Sequence, residues 1–359
     1  MSSTNVTPAR NRFAAHALIA AIPVTILSFL IAAPGCRDDP DPPANDTAQG
    51  PAYPDTAGIP AFSGERAYEM VERQVTFGPR NPGSEGAARA LDFLVEELGT
   101  YAATVERQEF THVGYEGKEL RMTNVIATFN PEATTRILLC AHWDTRPRSD
   151  EDSDPADREK PIVGANDGGS GVGVLLEFAR ILKENPPPIG VDIVLFDGED
   201  YGDSDVDELD RYFLGAKHFA KSIPSAYRPA FGILLDIVGD HEAEFGMEDT
   251  SVQYAGSIVR LVWGAAEHLG LKTFAQKRVP GVSDDHLPLN QIARIPTIDI
   301  IDASLVGHND PEPRRQYWHT SDDDMKNISA ETLGEVGRLL SYIVYRVVPD
   351  QMKKDGGAV

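Results

Sequence analysis

Apolar and polar residues alternate along this chain with two periods, one typical of helices and one typical of strands. After Ser84, whose side chain can cap a helix, apolar residues recur at helical intervals up to Leu98. The helical period predicts five further helices, over 64–75, 171–182, 212–221, 252–269 and 330–347.

Short apolar runs fall between these helices. Two segments, 104–110 and 122–129, alternate as exposed or edge strands do. Four shorter runs have the character of buried strands: 137–141, 191–196, 232–238 and 297–301. Buried strands separated by helices predict an α/β fold, with an open, mostly parallel central sheet and helices on both faces. We expect one catalytic domain over 61–348 and a flexible tail over 349–359.

The first 60 residues follow neither period. Arg10 and Arg12 precede an apolar stretch over about 13–33, and small residues then lead to Cys36. This pattern predicts a secretory signal over 1–36 with a lipoprotein-type cleavage box, so that the mature chain starts at a lipidated Cys36. An uncleaved anchor is the alternative, because the apolar length is near the minimum for a membrane span. Both place the catalytic part outside the cytoplasm, in the periplasm or cell envelope.

Composition narrows the set of partners. Residues 37–60 are rich in Asp and Pro and predict a disordered tether. The chain has 56 acidic and 33 basic residues, an excess that argues against nucleic acid as a partner. With two cysteines, Cys36 and Cys140, no disulfide framework is expected, and Cys140 lies in a predicted buried strand. We expect a monomer that contacts membrane only through its N-terminal lipid or anchor.

The candidate chemistry begins with two adjacent acids, Glu199 and Asp200, which follow the predicted strand 191–196. Two carboxylates at the mouth of a buried strand are unfavourable unless a cation lies there. Because neighbours at a strand end point in different directions, one can bind a metal while the other faces a substrate as a base. A solvated acidic turn is the alternative.

Further acids and histidines lie in or directly after other predicted strands and loops: His142, Asp144, Asp167, Asp236 and His319. In open α/β sheets, ligands bind beyond the carboxyl ends of the strands. Acid and imidazole groups that converge on one sheet edge predict a site for zinc or for a hard metal ion.

The motifs around these residues resemble those of a known family. They are 141–145 (AHWDT), 164–171 (GANDGGSG), 196–202 (FDGEDYG), 234–239 (LLDIVG), 283–286 (SDDH) and 318–320 (WHT). In this order they resemble the M28 zinc metallopeptidase family and, within it, the bacterial branch of the glutaminyl cyclases. The resemblance covers roughly 62–347.

The resemblance implies a role for each matched residue. Asp167, Asp200 and His319 correspond to zinc ligands, although the peptidases usually have Glu at the position of Asp200. Glu199 corresponds to the general acid and base. Two more acids, Asp236 and Asp284, correspond to a network that shares protons with the base, and Trp318 to an aromatic wall of the substrate pocket.

Two activities follow from the resemblance. A glutaminyl-peptide cyclotransferase uses one zinc to convert the N-terminal Gln of a peptide or protein to pyroglutamate with release of ammonia. The doubled acid Asp284-Asp285 and Trp318 favour this reaction. The alternative is an aminopeptidase with one or two zinc ions, the second held by His142, Asp167 and Asp236.

Four further side chains have more than one possible position or partner. Asp144 can orient His142, which is either a latent metal ligand or a hydrogen-bonded strand-end histidine. Arg146 can pair with the acidic stretch that follows it. His308 lies in a loop and is expected to be solvated.

Overall fold

The computed structural model describes residues 53–115, 117–202 and 209–354. The predicted signal segment, its Cys36 and the predicted tether up to residue 52 lie outside these residues. Among the residues described, no helix has both the length and the apolar character needed to cross a bilayer.

Helices and strands alternate along the chain. The helices are α1 (Gly64–Val75), α2 (Glu85–Tyr101), α3 (Ser170–Glu184), α4 (Leu214–Ser222), α5 (Asp249–Leu269), the short α6 (His286–Pro288), α7 (Ala330–Tyr342) and α8 (Val348–Lys354). The strands are β1 (Thr104–Val113), β2 (Glu119–Phe129), β3 (Arg136–His142), β4 (Gly190–Phe196), β5 (Gly232–Asp236), β6 (Phe245–Glu248), β7 (Phe274–Val279) and β8 (Thr297–Ile301). Single tighter or wider helical turns lie at Leu209–Arg211, Leu289–Ala293, Val306–His308, Pro313–Arg315, Met325–Asn327 and Ile343–Val347.

Six strands form the central sheet in the order β1-β2-β4-β3-β5-β8. The four strands β4, β3, β5 and β8 are mutually parallel, while β2 pairs antiparallel with β4 and β1 antiparallel with β2. The predicted α/β class and mostly parallel sheet are therefore confirmed. The parallel block brings the carboxyl ends of β3, β4, β5 and β8 to one edge, which is the edge where polar side chains were expected.

Both faces of the sheet are covered, because alternate residues of the buried strands point to opposite sides. In β3, Leu139 and Ala141 join a large apolar core that includes buried residues of α1, α2, α3, α5 and α7. Leu138 and Cys140 join a smaller core with α4 and the turn Leu289–Ala293. Cys140 is thus a buried strand residue, as its sequence context predicts. The rigid, doubly covered strands provide fixed ends for the site.

Local signals place most elements correctly, and two left-handed residues account for two shifted boundaries. Ser84 caps α2 by accepting the backbone N–H of Ala87 at 3.0 Å. The helix predicted over 212–221 begins instead at Leu214, because Phe213 has φ of 57°. The strand predicted over 232–238 ends at Asp236, because Ile237 has φ of 48°.

Three other differences concern elements that local patterns underestimate. Strands β6 and β7 were not expected; they form a separate two-stranded parallel sheet, and β6 is only four residues long. The segment 349–359, expected to be a flexible tail, continues as helix α8 up to Lys354. The tether predicted to reach residue 60 already contacts the fold at Tyr53, whose hydroxyl donates to the carbonyl of Leu261 at 3.0 Å.

Candidate active site

The candidate site lies at the carboxyl edge of the parallel strands. His142 and Asp236 are the last residues of β3 and β5, and Glu199 and Asp200 lie in the turn that follows β4. Asp167 precedes α3, so it reaches the same edge from a loop. The site is therefore assembled from the ends of β3, β4 and β5 and the start of α3, and not from one local motif.

The three predicted metal ligands converge. One ligand atom each from Asp167, Asp200 and His319 lies within 4.8 Å of the others. The Nε2 atom of His319 is 3.4 Å from Oδ1 of Asp200 and 3.6 Å from Oδ2 of Asp167. All three residues are buried, and Oδ2 of Asp200 has no hydrogen-bond partner among the described residues. Two carboxylates and one imidazole with an unsatisfied oxygen are a donor set that suits a dication.

His319 has the protonation state that a metal ligand requires. Its burial, and then the positive charge of Arg146, lower the pKa of His319 well below the usual value of an imidazole. The ring is therefore neutral near pH 7, and a neutral ring nitrogen carries the lone pair that binds a metal.

A second group of possible ligands adjoins the first and shares Asp167. Nε2 of His142 lies 3.1 Å from Oδ1 of Asp236 and 3.2 Å from Oδ1 of Asp167. Burial alone would lower the pKa of His142, but the carboxylates of Asp144, Asp167 and Asp236, which can accept its ring N–H groups, outweigh burial and raise this pKa well above its usual value. The imidazole is thus a hydrogen-bonded strand-end group, and His142, Asp167 and Asp236 together have the geometry of a latent metal site.

Glu199 is the acid best placed to handle protons. Its side chain is 12% exposed, more than those of its buried acidic neighbours Asp167 and Asp200. Burial, together with the negative charges of Asp284 and Asp200, raises the pKa of Glu199 well above its usual value, although His142 opposes this shift. A carboxyl group whose pKa is raised in this way holds a proton more readily, so it is suited to accept a proton and return it.

A closed acidic cluster lies behind Glu199. Burial and the charge of Asp236 raise the pKa of Asp284 to about 8, so Asp284 is largely protonated near neutral pH. Its Oδ1 accepts the backbone N–H of Asp285, and its Oδ2 has no hydrogen-bond partner within 53–115, 117–202 and 209–354. Asp299 and His286 complete a third group of converging buried ligands, which the sequence interpretation did not include.

A model of the family described as "Peptidase family M28" matches residues 124–344, which contain every site residue named so far. The chain belongs to peptidase family M28.

Known proteins that resemble this chain include both glutaminyl cyclases and peptidases. A glutaminyl cyclase of Tannerella forsythia is 45% identical, with a TM-score of 0.75 over 80% of this chain and 99% of that chain. A Zn-dependent exopeptidase of Parabacteroides distasonis ATCC 8503 is 42% identical, with a TM-score of 0.75 over 80% of this chain and 99% of that chain. Aminopeptidase YwaD of Bacillus subtilis (strain 168) is 28% identical over 228 residues, and this chain spans 42% of its length.

Two carboxylates hold the backbone of this M28 site, and the sequence interpretation did not assign that function. Asp144 was expected to orient His142, and its nearest oxygen lies 3.5 Å from Nδ1 of that ring. Its two oxygens accept the backbone N–H groups of Glu199 at 3.0 Å and Asp200 at 3.2 Å. Asp323 likewise accepts the N–H group of Asp167 at 3.0 Å. A local pattern could not reveal either contact, because the partners lie far apart in sequence.

Glycines permit the two turns that carry the acids. Gly168, which follows Asp167, has φ of 81°, and Gly198, which precedes Glu199, has φ of 73°. A Cβ atom on Gly168 would lie 2.1 Å from the carbonyl oxygen of Asp144. The glycines of both motifs are therefore required by backbone conformation and close packing.

Two residues of the site that are not glycine, His319 and Ile237, also have a left-handed backbone conformation. His319 has φ of 55° and Ile237, which follows Asp236, has φ of 48°. A β-branched residue rarely adopts this conformation, and such strain is concentrated at functional positions. The fold thus holds the candidate ligand and the end of β5 in conformations that their residue types disfavour.

Trp318 lies at the mouth of the site. It is half-buried and stacks on His319 with a ring-centroid distance of 3.4 Å. His308, expected to be solvated, is instead 2.8 Å through Nε2 from the carbonyl oxygen of Trp318, and its ring stands edge-on to the indole. The loop that carries His308 is therefore part of the wall that supports Trp318.

Two buried arginines complete the frame, and neither was recognised as part of it from the sequence. The guanidinium of Arg80 donates to the carbonyl oxygens of Trp143 at 2.9 Å, Val163 at 2.8 Å and Gly164 at 2.9 Å. Arg146 pairs with Asp150, as the sequence indicated, and also contacts Asp200. Arg80 lies in a loop rich in proline and glycine, where no pattern distinguishes it from a solvated residue.

Proposed function

We propose that this M28 enzyme is a zinc-dependent glutaminyl-peptide cyclotransferase, which converts the N-terminal Gln of peptides or proteins to pyroglutamate and releases ammonia. The observation that carries the proposal is the buried acid Asp284, whose negative charge raises the pKa of Glu199 and whose own pKa is raised by burial and by Asp236 to about 8. An acid that retains its proton near neutral pH can share this proton with the general base, Glu199. The 45% identity to a glutaminyl cyclase of Tannerella forsythia supports the same reaction.

Asp167, Asp200 and His319 would hold one zinc ion. Their two negative charges and neutral imidazole balance a dication, and all three side chains already converge. When bound, zinc supplies a Lewis acid that polarises the γ-amide carbonyl of the substrate.

Glu199 moves the proton that the reaction transfers. The substrate's α-amine attacks the carbon of its own γ-amide, so that a ring C–N bond forms and the bond from this carbon to the amide nitrogen breaks. Glu199 accepts the proton that the α-amine loses and returns it to the departing nitrogen, which leaves as ammonia. The attack is intramolecular, so correct positioning supplies much of the rate acceleration.

Three other residues support this step. Trp318 packs against the Gln side chain and restricts it to a conformation in which the amine can reach the amide carbon. Asp284 and Asp236 form a network that shares protons with Glu199. The charge of Asp236 raises the pKa of Asp284, so that Asp284 carries a proton near neutral pH.

A second candidate function is that of an aminopeptidase. The observation in its favour is the second converging group of His142, Asp167 and Asp236, which shares Asp167 with the first. Two adjacent metal ions would activate a water molecule for hydrolysis of the first peptide bond.

The two functions are separated by parallel assays on one preparation. We expect ammonia release from a Gln-initiated dipeptide, no cleavage of a leucine amide, and one zinc per chain. Glu199→Gln should retain the zinc and lower kcat by about 10²–10⁴-fold, since a general base is lost. Rapid leucine-amide cleavage without ammonia release would assign the protein to the aminopeptidases. Loss of zinc from Glu199→Gln would instead make Glu199 a ligand.

We also propose that the enzyme acts outside the cytoplasm as a monomer, tethered by a lipid at Cys36, and that it does not bind nucleic acid. The apolar segment 13–33 before Cys36 supports export. Mass spectrometry of the N-terminal peptide from the membrane fraction should show a lipidated Cys36. An unmodified Cys36 within an intact N-terminus would favour an uncleaved anchor.

A further inference from the structure

Arg146 places a fully buried positive charge at the edge of the candidate metal site. It lies four residues after His142, and its side chain has no exposed surface. Nη1 donates to Oδ1 of Asp200 at 2.5 Å, while Nε and Nη2 each donate to one oxygen of Asp150 at 2.6 Å. The guanidinium thus joins one candidate metal ligand to an acid that lies outside all the converging ligand groups of the described residues.

Considered by charge alone, a guanidinium at this position disfavours metal binding. A guanidinium close to a dication repels it, and little water is present to screen the repulsion. The residue must therefore contribute something else to the site. Asp150 offsets part of its charge and fixes it through two parallel hydrogen bonds, the strongest and most directional arrangement available to an arginine.

Held in this way, Arg146 restricts the rotation of the Asp200 carboxylate. Oδ1 of Asp200 faces both Arg146 and Nε2 of His319, the latter at 3.4 Å, and Oδ2 has no hydrogen-bond partner in the part of the chain that the structure describes. The backbone N–H of Asp200 is fixed separately, by Asp144. Main chain and side chain of this ligand are therefore each oriented by a different buried group.

We propose that Arg146, anchored by Asp150, is a positioning residue that orients Asp200 for metal binding. The inference rests on the metal site of the proposed function, but it does not depend on which reaction the enzyme catalyses. Hydrogen-bonding partners of metal ligands commonly affect metal affinity 10–100-fold.

The test measures zinc affinity in the absence of substrate, by competition with a chromophoric chelator. In Arg146→Met, we expect the zinc dissociation constant to rise about 10–100-fold, and the visible absorption bands of the cobalt-substituted protein to change. Arg146→Lys should recover part of the affinity, because an ammonium group is a point donor that cannot hold Asp150 and Asp200 in one planar fork. Asp150→Asn, which weakens the anchor and leaves the contact with Asp200, should lie between wild type and Arg146→Met.

Arg136 offers a matched control. It lies at the other end of β3 and forms a similar pair with Asp192, through Nε at 2.7 Å and Nη2 at 3.1 Å. Arg136→Met should leave zinc affinity unchanged, although it also removes a buried arginine–aspartate pair.

Zinc affinity in folded Arg146→Met equal to that of wild type would overturn the inference and make Arg146 a structural ion pair. Tighter binding would also overturn it, since repulsion would then be the dominant effect of the guanidinium. If Arg146→Met fails to fold, unchanged affinity in both Arg146→Lys and Asp150→Asn would have the same meaning. A protein that forms no pyroglutamate but shows these affinity losses would contradict the proposed function and leave the inference intact.

Discussion

Single residues in this protein show how burial changes proton affinity. His286 is fully buried, and neither of its ring nitrogens has a hydrogen-bond partner among the residues that the structure describes. Its nearest acids are Glu248, 3.6 Å from Nε2, and Asp299, 3.9 Å from Nδ1. Both distances exceed those of a hydrogen bond, so loss of water dominates and lowers the pKa of His286 to about 3.

This shift predicts how acid destabilises the fold. The pKa of His286 is about 3 in the folded chain against 6.5 when unfolded, so the unfolded chain binds more protons between these values. Titration of His286 therefore leaves the free energy of unfolding unchanged above about pH 6.5. As pH falls from 6.5 towards 3, it lowers this free energy by about 1.4 kcal/mol per pH unit.

His286→Gln should remove this dependence. Between pH 7 and pH 5, wild type should lose about 2 kcal/mol more unfolding free energy than the variant, measured by urea denaturation. The nearby carboxyl groups occur in both proteins, so their contributions largely cancel in the difference. Parallel stability curves for the two proteins would show that His286 does not titrate in this range.

At the scale of elements, contacts between strand ends determine the shape of the site. Asp144 follows β3, and its carboxylate accepts the N–H groups of the turn that follows β4. The neighbouring parallel strands are thus joined beyond their last ladder hydrogen bonds. The same turn is closed from the other side, where the N–H of Phe213 donates to the carbonyl of Glu199 at 3.0 Å.

Asp144→Ala should loosen this turn. Two buried N–H groups would lose their acceptor, and we expect a loss of about 2–4 kcal/mol in the unfolding free energy. We also expect kcat to fall at least 10-fold, because Glu199 and Asp200 are no longer fixed together. Thermal unfolding and steady-state kinetics would measure the two effects.

Asp154→Ala is a suitable control for that prediction, since its carboxylate accepts the exposed N–H of Ala156 at 2.9 Å. It should change neither quantity appreciably. Wild-type kcat in Asp144→Ala would mean that the packing of the glycine turn alone holds the catalytic acids.

At the scale of the whole molecule, the chain before α1 ties two helices together. The ring of Tyr53 stacks on His268 of α5, which stacks in turn on Tyr342 of α7, with centroid distances of 5.7 and 5.6 Å. The hydroxyl of Tyr342 donates to the carbonyl of Pro54. Arg346 pairs with Asp55 at 2.7 Å. The segment before α1 is therefore part of the folded domain.

Tyr53→Ala tests this contribution. Loss of the aromatic stack and of the hydrogen bond to Leu261 should lower the unfolding free energy by about 1–3 kcal/mol, and Tm by a few degrees. The kcat should remain that of wild type, because Tyr53 contacts no residue of the site. An unchanged Tm would mean that the segment only rests on the surface.

The order of elements, the α/β class and most candidate ligands could be predicted from the chain alone. A strand end followed by Glu199 and Asp200, and a glycine turn around Asp167, are local signals that survive in any compact arrangement of these elements. The pairing of β6 with β7 could not be predicted, because neither short strand has a distinctive period. The helix over Val348–Lys354 extends α7 beyond the point where its apolar pattern ends.

The sequence by itself determined which chemical groups meet at the sheet edge, since period and motif are properties of neighbouring residues. Only the tertiary structure decided how those groups are held and charged. Arg146 beside Asp200, Asp144 beneath the turn and the desolvated His286 all depend on contacts between distant segments. Hydrogen-bond geometry and removal of water, which set orientation and pKa, arise only when those segments pack together.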